Sequence, residues 1–188
     1  MEILSHALWA GAAGKAINLS ASWRKKQPLK LKWMAFWGIF PDFFAFSPAF
    51  AYMFASYIFP SLPKMYHPGP NNIEPATENT LLISNLTHNL YNLSHSLIIF
   101  ILIFGLIWLI SKRPRWEIGG WMLHILIDIP THSYQFYPTP FLWPISDFKI
   151  NGTHWGSLQF ELINYFLILS AYVLLWLIKR TALTKPSA

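Results

Sequence analysis

Residues 158–178 read LQFELINYFLILSAYVLLWLI, 21 residues with a single charge at their start. A run of that length and polarity matches the ~20 residues that a helix needs to cross a bilayer. In lipid every backbone polar group must be bonded internally, so helices and closed barrels are the available folds. Four further apolar stretches precede it, at residues 3–22, 33–59, 93–110 and 118–129. Their length and polarity predict helices. The expected fold is therefore all-α, a multi-pass membrane helical bundle of four to five hydrophobic helices. It forms one membrane-embedded domain over residues 1–188, with extramembrane loops at about 60–92 and 131–157. The third stretch reaches span length only with its polar start, and the fourth is too short. The first is rich in Ala and Gly, which lets a neighbouring helix approach closely.

Composition agrees where it bears on this. Only 12% of residues are charged, with 10 Trp and 15 Phe, against about 25% charged in an ordinary soluble domain. There is no cysteine, so thiolate chemistry and disulfides are excluded. The net charge of +6 is not spread evenly. Eleven of the 14 Lys and Arg fall in three blocks, Arg24 to Lys32, Lys112 to Arg115 and Lys179 to Lys185, each at the end of an apolar stretch. That is the pattern of the positive-inside rule, and no nucleic-acid partner is expected. With all three blocks cytoplasmic, the loops 60–92 and 131–157 fall outside. The first reads as an irregular excursion and the second as an aromatic cap on the bilayer surface. The start, Met-Glu-Ile, lacks the basic segment of a cleavable signal.

Against this background the polar exceptions are informative, because a charge at the centre of a membrane helix costs ~2.5–3.5 kcal/mol on insertion scales. His6, Asp42, His95, His124 and Asp128 lie in four different apolar stretches, and His132 follows the fourth. His124 and Asp128 are four residues apart, on one face of a helix. Pro130 should end that helix, placing Thr131 and His132 at a turn. Imidazoles and carboxylates without thiolates form an N/O ligand set suited to Zn, and also to Mn or Fe. Each residue also has a plain structural role available: a histidine bonded to Ser5, Ser94 or Ser96, an Asp42–Lys15 ion pair, an Asp128–Thr131 bond. Counted at 1.5 Å per residue from the basic ends, Asp42 stands ~14 Å up, His124 ~10 Å, His95 ~24 Å and His6 ~27 Å. A shared ion then requires tilt, a break at Pro41 or a raised fourth helix, and it places the site in the outer half of the bundle. His67, His88, His154 and Glu161 are weaker candidates.

The segments ILSHALWAGAA, GIFPDFFAF, NLSHSLIIF, GGWMLHILIDIPTH and PTPFLWPIS resemble the YdjM-type membrane-bound metal-dependent hydrolases, described as LexA-regulated inner-membrane proteins. The matching positions are His6, Pro41-Asp42, Ser94-His95-Ser96, His124 with Asp128, and Trp143-Pro144. The order of ligands is also similar to that of the zinc-dependent phospholipase C and nuclease superfamily. That likeness implies His6, Asp42, His95, His124 and Asp128 as ligands of one or two ions, with Asp128 bridging and His132 added. It implies no complete third-ion set, since Leu158 stands where a carboxylate would follow His154. The superfamily's amino-terminal ligand is not expected here.

The expectation is a hydrolase of phosphoesters, in a lipid or lipid-linked substrate, acting through a metal-activated water in a bacterial inner membrane. Asp42 and Asp128 are the catalytic candidates. Thr131, Trp143 and Ser146 are the candidate substrate contacts. The alternatives are a non-catalytic metal-binding or metal-transport protein, and a structural membrane protein whose His and Asp only satisfy one another.

Overall fold

The computed structural model describes residues 1–20, 27–64 and 82–184. Arg24, Lys25 and Lys26 of the first basic block, His67 and Lys185 lie outside the described residues. The described chain is all-helical, with 72% of residues in helix and no strand. The helices are α1 (Ile3–Leu19), α2 (Leu31–Ile58), α3 (Leu82–Ser94), α4 (Leu97–Ser111), α5 (Gly119–Thr131) and α6 (Leu158–Thr184). A single 3-10 turn, Trp116–Ile118, leads into α5.

Two helices, α2 and α6, are long and apolar enough to cross a membrane. The α3–α4 pair is a third if its 65° bend is counted within one span. An integral membrane protein with two or three spans is therefore supported. Helices α1 and α5, at 17 and 13 residues, sit at or below the shortest usual span. Helix α4 is apolar all round and buries only Phe100, which suits a surface bathed in lipid.

Helix α2 is the centre of the bundle and packs against α1, α3 and α5, while α6 packs on α1. Glycine allows the closest crossings. A Cβ on Gly38 would sit 2.7 Å from the Ala10 Cβ and 2.8 Å from the His6 carbonyl oxygen, so α1 and α2 touch backbone to side chain there. A Cβ on Gly120 would run into the Met34 carbonyl oxygen, so α5 lies directly on α2. Polar bonds fix α6: Asn164 accepts from Trp9 Nε1 and donates to Ser5 Oγ, and Tyr172 donates to the Leu8 carbonyl.

One expectation is corrected, and one of the three ways offered for the ligands to meet is ruled out. The loop 60–92 is not irregular throughout, since α3 occupies its last part. The segment LISNLTHNLYNLS is polar by composition, but Thr87, Tyr91 and Ser94 recur at helical spacing and are buried. Nor does the chain break at Pro41. Both Pro41 and Pro48 lie inside α2, which continues for 28 residues. Proline removes one backbone donor, but away from water an interrupted helix would leave more groups unbonded, and packing on α1 and α5 holds it. The break falls instead at His95, between α3 and α4.

The basic ends gather at one end of the bundle. Asn18, near the end of α1, bonds both the N–H and the carbonyl of Leu29, and the Lys30 N–H donates to Glu117 beside Arg115. Met1, His95 and His132 stand at the opposite end of their helices. The height problem also shrinks. Helix α1 stops at Leu19, which puts His6 ~20 Å from its end, and the 3-10 turn raises His124 to ~14 Å above Trp116. Asp42 lies ~17 Å into α2. Helix inclination and side-chain reach close the remainder.

Candidate metal centre

Asp42, His95, His124 and Asp128 meet inside the bundle, each offering one ligand atom, with all four atoms within 4.8 Å of one another. They come from α2, the α3–α4 break and α5. All are buried, and Asp128 and His95 have no exposed surface. His124 Nε2 is 3.1 Å from Asp128 Oδ2, 3.1 Å from His95 Nε2 and 3.7 Å from Asp42 Oδ1. His95 Nε2 is 3.4 Å from Asp42 Oδ1 and 3.6 Å from Asp128 Oδ2. Four ligands each ~2.1 Å from a tetrahedral ion stand roughly 3.4 Å apart, so these separations are those of a tetrahedral ligand shell.

The other face of Asp128 carries a second group. Its Oδ1 lies 3.0 Å from His6 Nε2, 3.4 Å from His132 Nε2 and 2.7 Å from the amino nitrogen of Met1. That nitrogen is also 2.7 Å from His132 Nε2, and the Met1 carbonyl oxygen is 3.2 Å from His6 Nε2. Asp128 thus sits between two nitrogen-rich clusters, one on each carboxylate oxygen. The amino nitrogen of Met1 is a polar group that the sequence reading did not expect here. The only signal for it was position: His6 lies just over one turn from the chain start, on the same helix.

The outer partners explain the orientation of the rings. His124 Nδ1 donates to the Gly38 carbonyl at 2.7 Å, and His132 Nδ1 to the Tyr137 carbonyl at 2.8 Å. His95 Nδ1 lies 3.1 Å from the Tyr91 carbonyl and 2.9 Å from Ser94 Oγ. A carbonyl can only accept, so Nδ1 carries a proton, and Nε2 is the atom turned inward. This is the usual arrangement of histidines that bind metals. Two observations then favour a cation between the ligands. Asp128 Oδ2 is buried and has no hydrogen-bond donor. His95 Nε2 and His124 Nε2 face each other across 3.1 Å beside both carboxylates, an arrangement that calls for positive charge between them. The donor set fits a divalent metal ion of the Zn, Mn or Fe kind, and the ion's identity is not fixed by it.

The helix break at His95 is braced from outside. Ser96 caps α4 by accepting from the Ile99 N–H, and its hydroxyl donates to the Trp143 carbonyl. The Leu97 N–H donates to the Phe141 carbonyl. Trp121 Nε1 donates to the Ser94 carbonyl at 2.6 Å, and the Tyr91 ring stacks on His95 at 3.8 Å between centroids. Pro130 and Thr131 both lie inside α5, so the helix runs past the proline, and His132 is its C-cap, with extended backbone rather than a turn.

All six expected ligands are therefore brought together, in two groups that share Asp128. The expected substrate contacts are not. Trp143 acts through its backbone on Ser96, and Ser146 accepts from the Phe148 N–H. Neither lines the cavity that reaches the centre. Thr131 donates to the Ile127 carbonyl rather than to Asp128, and Lys15 lies over the Tyr172 ring rather than beside Asp42. His88 bonds Asn92, and His154 packs by Phe136 and Trp155, both outside the four-residue cluster.

A cavity of about 450 Å³ opens onto the centre. Asp42 and His132 face it, with Met1 and Glu2, and its walls are Phe46, Phe50, Phe136 and Trp155. Phe46 and Phe50 follow Asp42 at steps of four, so the helical register of α2 carried this signal. No family model matches the chain, and no curated protein or solved structure is found to be similar to it.

Proposed function

We propose that this protein is a membrane-bound, metal-dependent hydrolase of a phosphoester in a lipid or lipid-linked substrate. The observation that carries the reading is a buried His/Asp centre onto which a cavity walled by aromatic rings opens. A purely structural cluster has no need of a cavity at its ligands. A water-soluble substrate would gain little from Phe46, Phe50, Phe136 and Trp155, whereas an amphiphile would place its apolar part there and its polar part at Asp42 and His132.

His95, His124, Asp42 and Asp128 would hold one ion; His6, His132 and the other oxygen of Asp128 would hold a second. A divalent ion so held supplies Lewis acidity, which activates water and offsets charge developing on phosphoryl oxygens. Asp42 faces both the cluster and the cavity, so it is placed to orient the attacking water and take its proton. Asp128 does not line the cavity and would offer one oxygen to each ion. The aromatic walls exclude bulk water, which strengthens each electrostatic contact inside. With the basic ends cytoplasmic, the centre lies toward the outer leaflet of a bacterial inner membrane.

The test pairs two measurements on purified protein in detergent. Elemental analysis should find one or two equivalents of a divalent transition metal in the wild type and a large loss in Asp128→Ala. Release of phosphate or a phosphorylated headgroup from mixed phospholipid and polyprenyl-phosphate micelles should vanish in both Asp128→Ala and Asp42→Asn. Metal-free wild-type protein with unchanged stability in Asp128→Ala would sink the proposal. Metal flux into vesicles without turnover would replace it with transport.

A further inference from the structure

A second cavity, of about 690 Å³, lies in the groove between α1, α5 and α6. Its floor is α1, where Ala12, Ala13 and Ala16 present only methyl groups. The small residues of α1 divide by role. Gly11 and Gly14 meet Tyr172 of α6 and Met34 of α2 closely, as small residues in membrane helices commonly do. Ala12 is buried, whereas Ala13 is half-buried and Ala16 is exposed to the groove. Helix α6 is held by its polar bonds through Asn164 and Tyr172 to α1, and α5 by its crossing at Gly120 to α2. The two helices stand apart over the alanines because each is anchored elsewhere.

The groove runs from Met1 and Thr131, at the centre, to Leu175 near the basic end. From Met1 to Ala16 along α1 is ~22 Å, longer than the ~15 Å half-thickness of a hydrocarbon core. It is continuous with the lipid-facing side of α6, a helix long and apolar enough to cross the membrane. Ile163, Leu167 and Leu174 of that helix line the groove and are about half exposed, so the groove opens into the surface that the bilayer covers. Its other end carries the centre that would attract a phosphate.

We propose that this groove binds one acyl chain of a membrane phospholipid, with the headgroup drawn toward Met1 and Thr131. The chain lies along α1 with its end toward Leu175. The orientation of the headgroup rests on the metal-centre reading; occupancy of the groove does not.

The test uses vesicles of phosphatidylethanolamine and phosphatidylglycerol carrying a phospholipid with a diazirine at the end of one acyl chain. After irradiation, labelled peptides are mapped by mass spectrometry, and metal content is measured on the same samples. Labelling should concentrate on residues 12–16 and 167–175. It should be lost from there in Ala16→Trp and in an Ala13→Leu/Ala171→Leu variant, with metal content and melting temperature retained. Equal labelling of α4, or no change on filling the groove, overturns the proposal. The chain has no cysteine, so Ala16→Cys gives a clean second readout. Disulfide-linked dimers in the same vesicles would place another copy in the groove and also overturn it. Groove labelling in protein without metal would defeat the hydrolase reading and leave the groove standing.

Discussion

Helices α5 and α6 are both apolar, yet they do opposite work. Helix α5 has 13 residues and buries Gly120, Trp121, His124, Ile125 and Asp128. Helix α6 has 27 residues, and most of its large apolar side chains are exposed. The longer helix is exposed over most of its length, whereas the shorter one buries a polar face and leaves Met122 and Leu126 exposed on the other side. The difference shows why hydropathy and chemistry separate in such a chain. A span must be apolar outward, whereas the buried face of a helix can carry polar groups if they satisfy one another. Shortness is what releases α5 from the membrane's compositional demand.

The contrast can be sharpened by substitution. The largest effect on stability is expected at Gly120. A side chain there meets the Met34 backbone, which cannot move without shifting α2, so Gly120→Val should cost at least the ~1–3 kcal/mol of overpacking. Denaturant titration would show it, and metal would be lost as α5 lifts from α2. A smaller effect is expected at Ser96, which is outside the ligand set. Ser96→Ala removes a helix cap worth ~1 kcal/mol. It also frees the Trp143 carbonyl and loosens His95, so metal affinity should fall by roughly 10–100-fold, as when other outer partners are removed. A normal affinity in Ser96→Ala would show that His95 is held by Tyr91 and Trp121 alone. The smallest effect is expected on the lipid face: Leu169→Ala on α6 should stay within about 0.5 kcal/mol. Metal content should be unchanged there. If Leu169→Ala were as damaging as Gly120→Val, the division between the two helices would be wrong.

The ligands were readable in the sequence because charge is scarce. Asp42 and Asp128 stand out in a chain with only 8 acidic residues, and His6, His95 and His124 likewise interrupt apolar stretches. The i, i+4 spacing of His124 and Asp128 gave their common face directly. The rest was less legible for physical reasons. Helix α3 is amphipathic and mostly polar, so it resembles a loop by composition, and its burial depends on α2. Pro41 is a helix breaker in water but not inside a bundle. Met1 enters the centre through its backbone atoms, which no side-chain pattern reports. Trp143 and Ser146 looked like substrate contacts because an aromatic, Pro-rich loop beside a polar centre suggests a lid. Trp143 instead supplies a carbonyl to the helix break, and Ser146 bonds within its own turn.

The rings of His95, His124 and His132 are aimed by the carbonyls of Tyr91, Gly38 and Tyr137. Ligand orientation is therefore encoded in backbone position. At Tyr137, a change of side chain leaves the acceptor in place as long as the loop keeps its path. At Gly38 the carbonyl survives only if α1 and α2 can still approach. Drift in the outer partners is thus filtered by fold rather than by chemistry. The ligand set can stay fixed while its surroundings change identity.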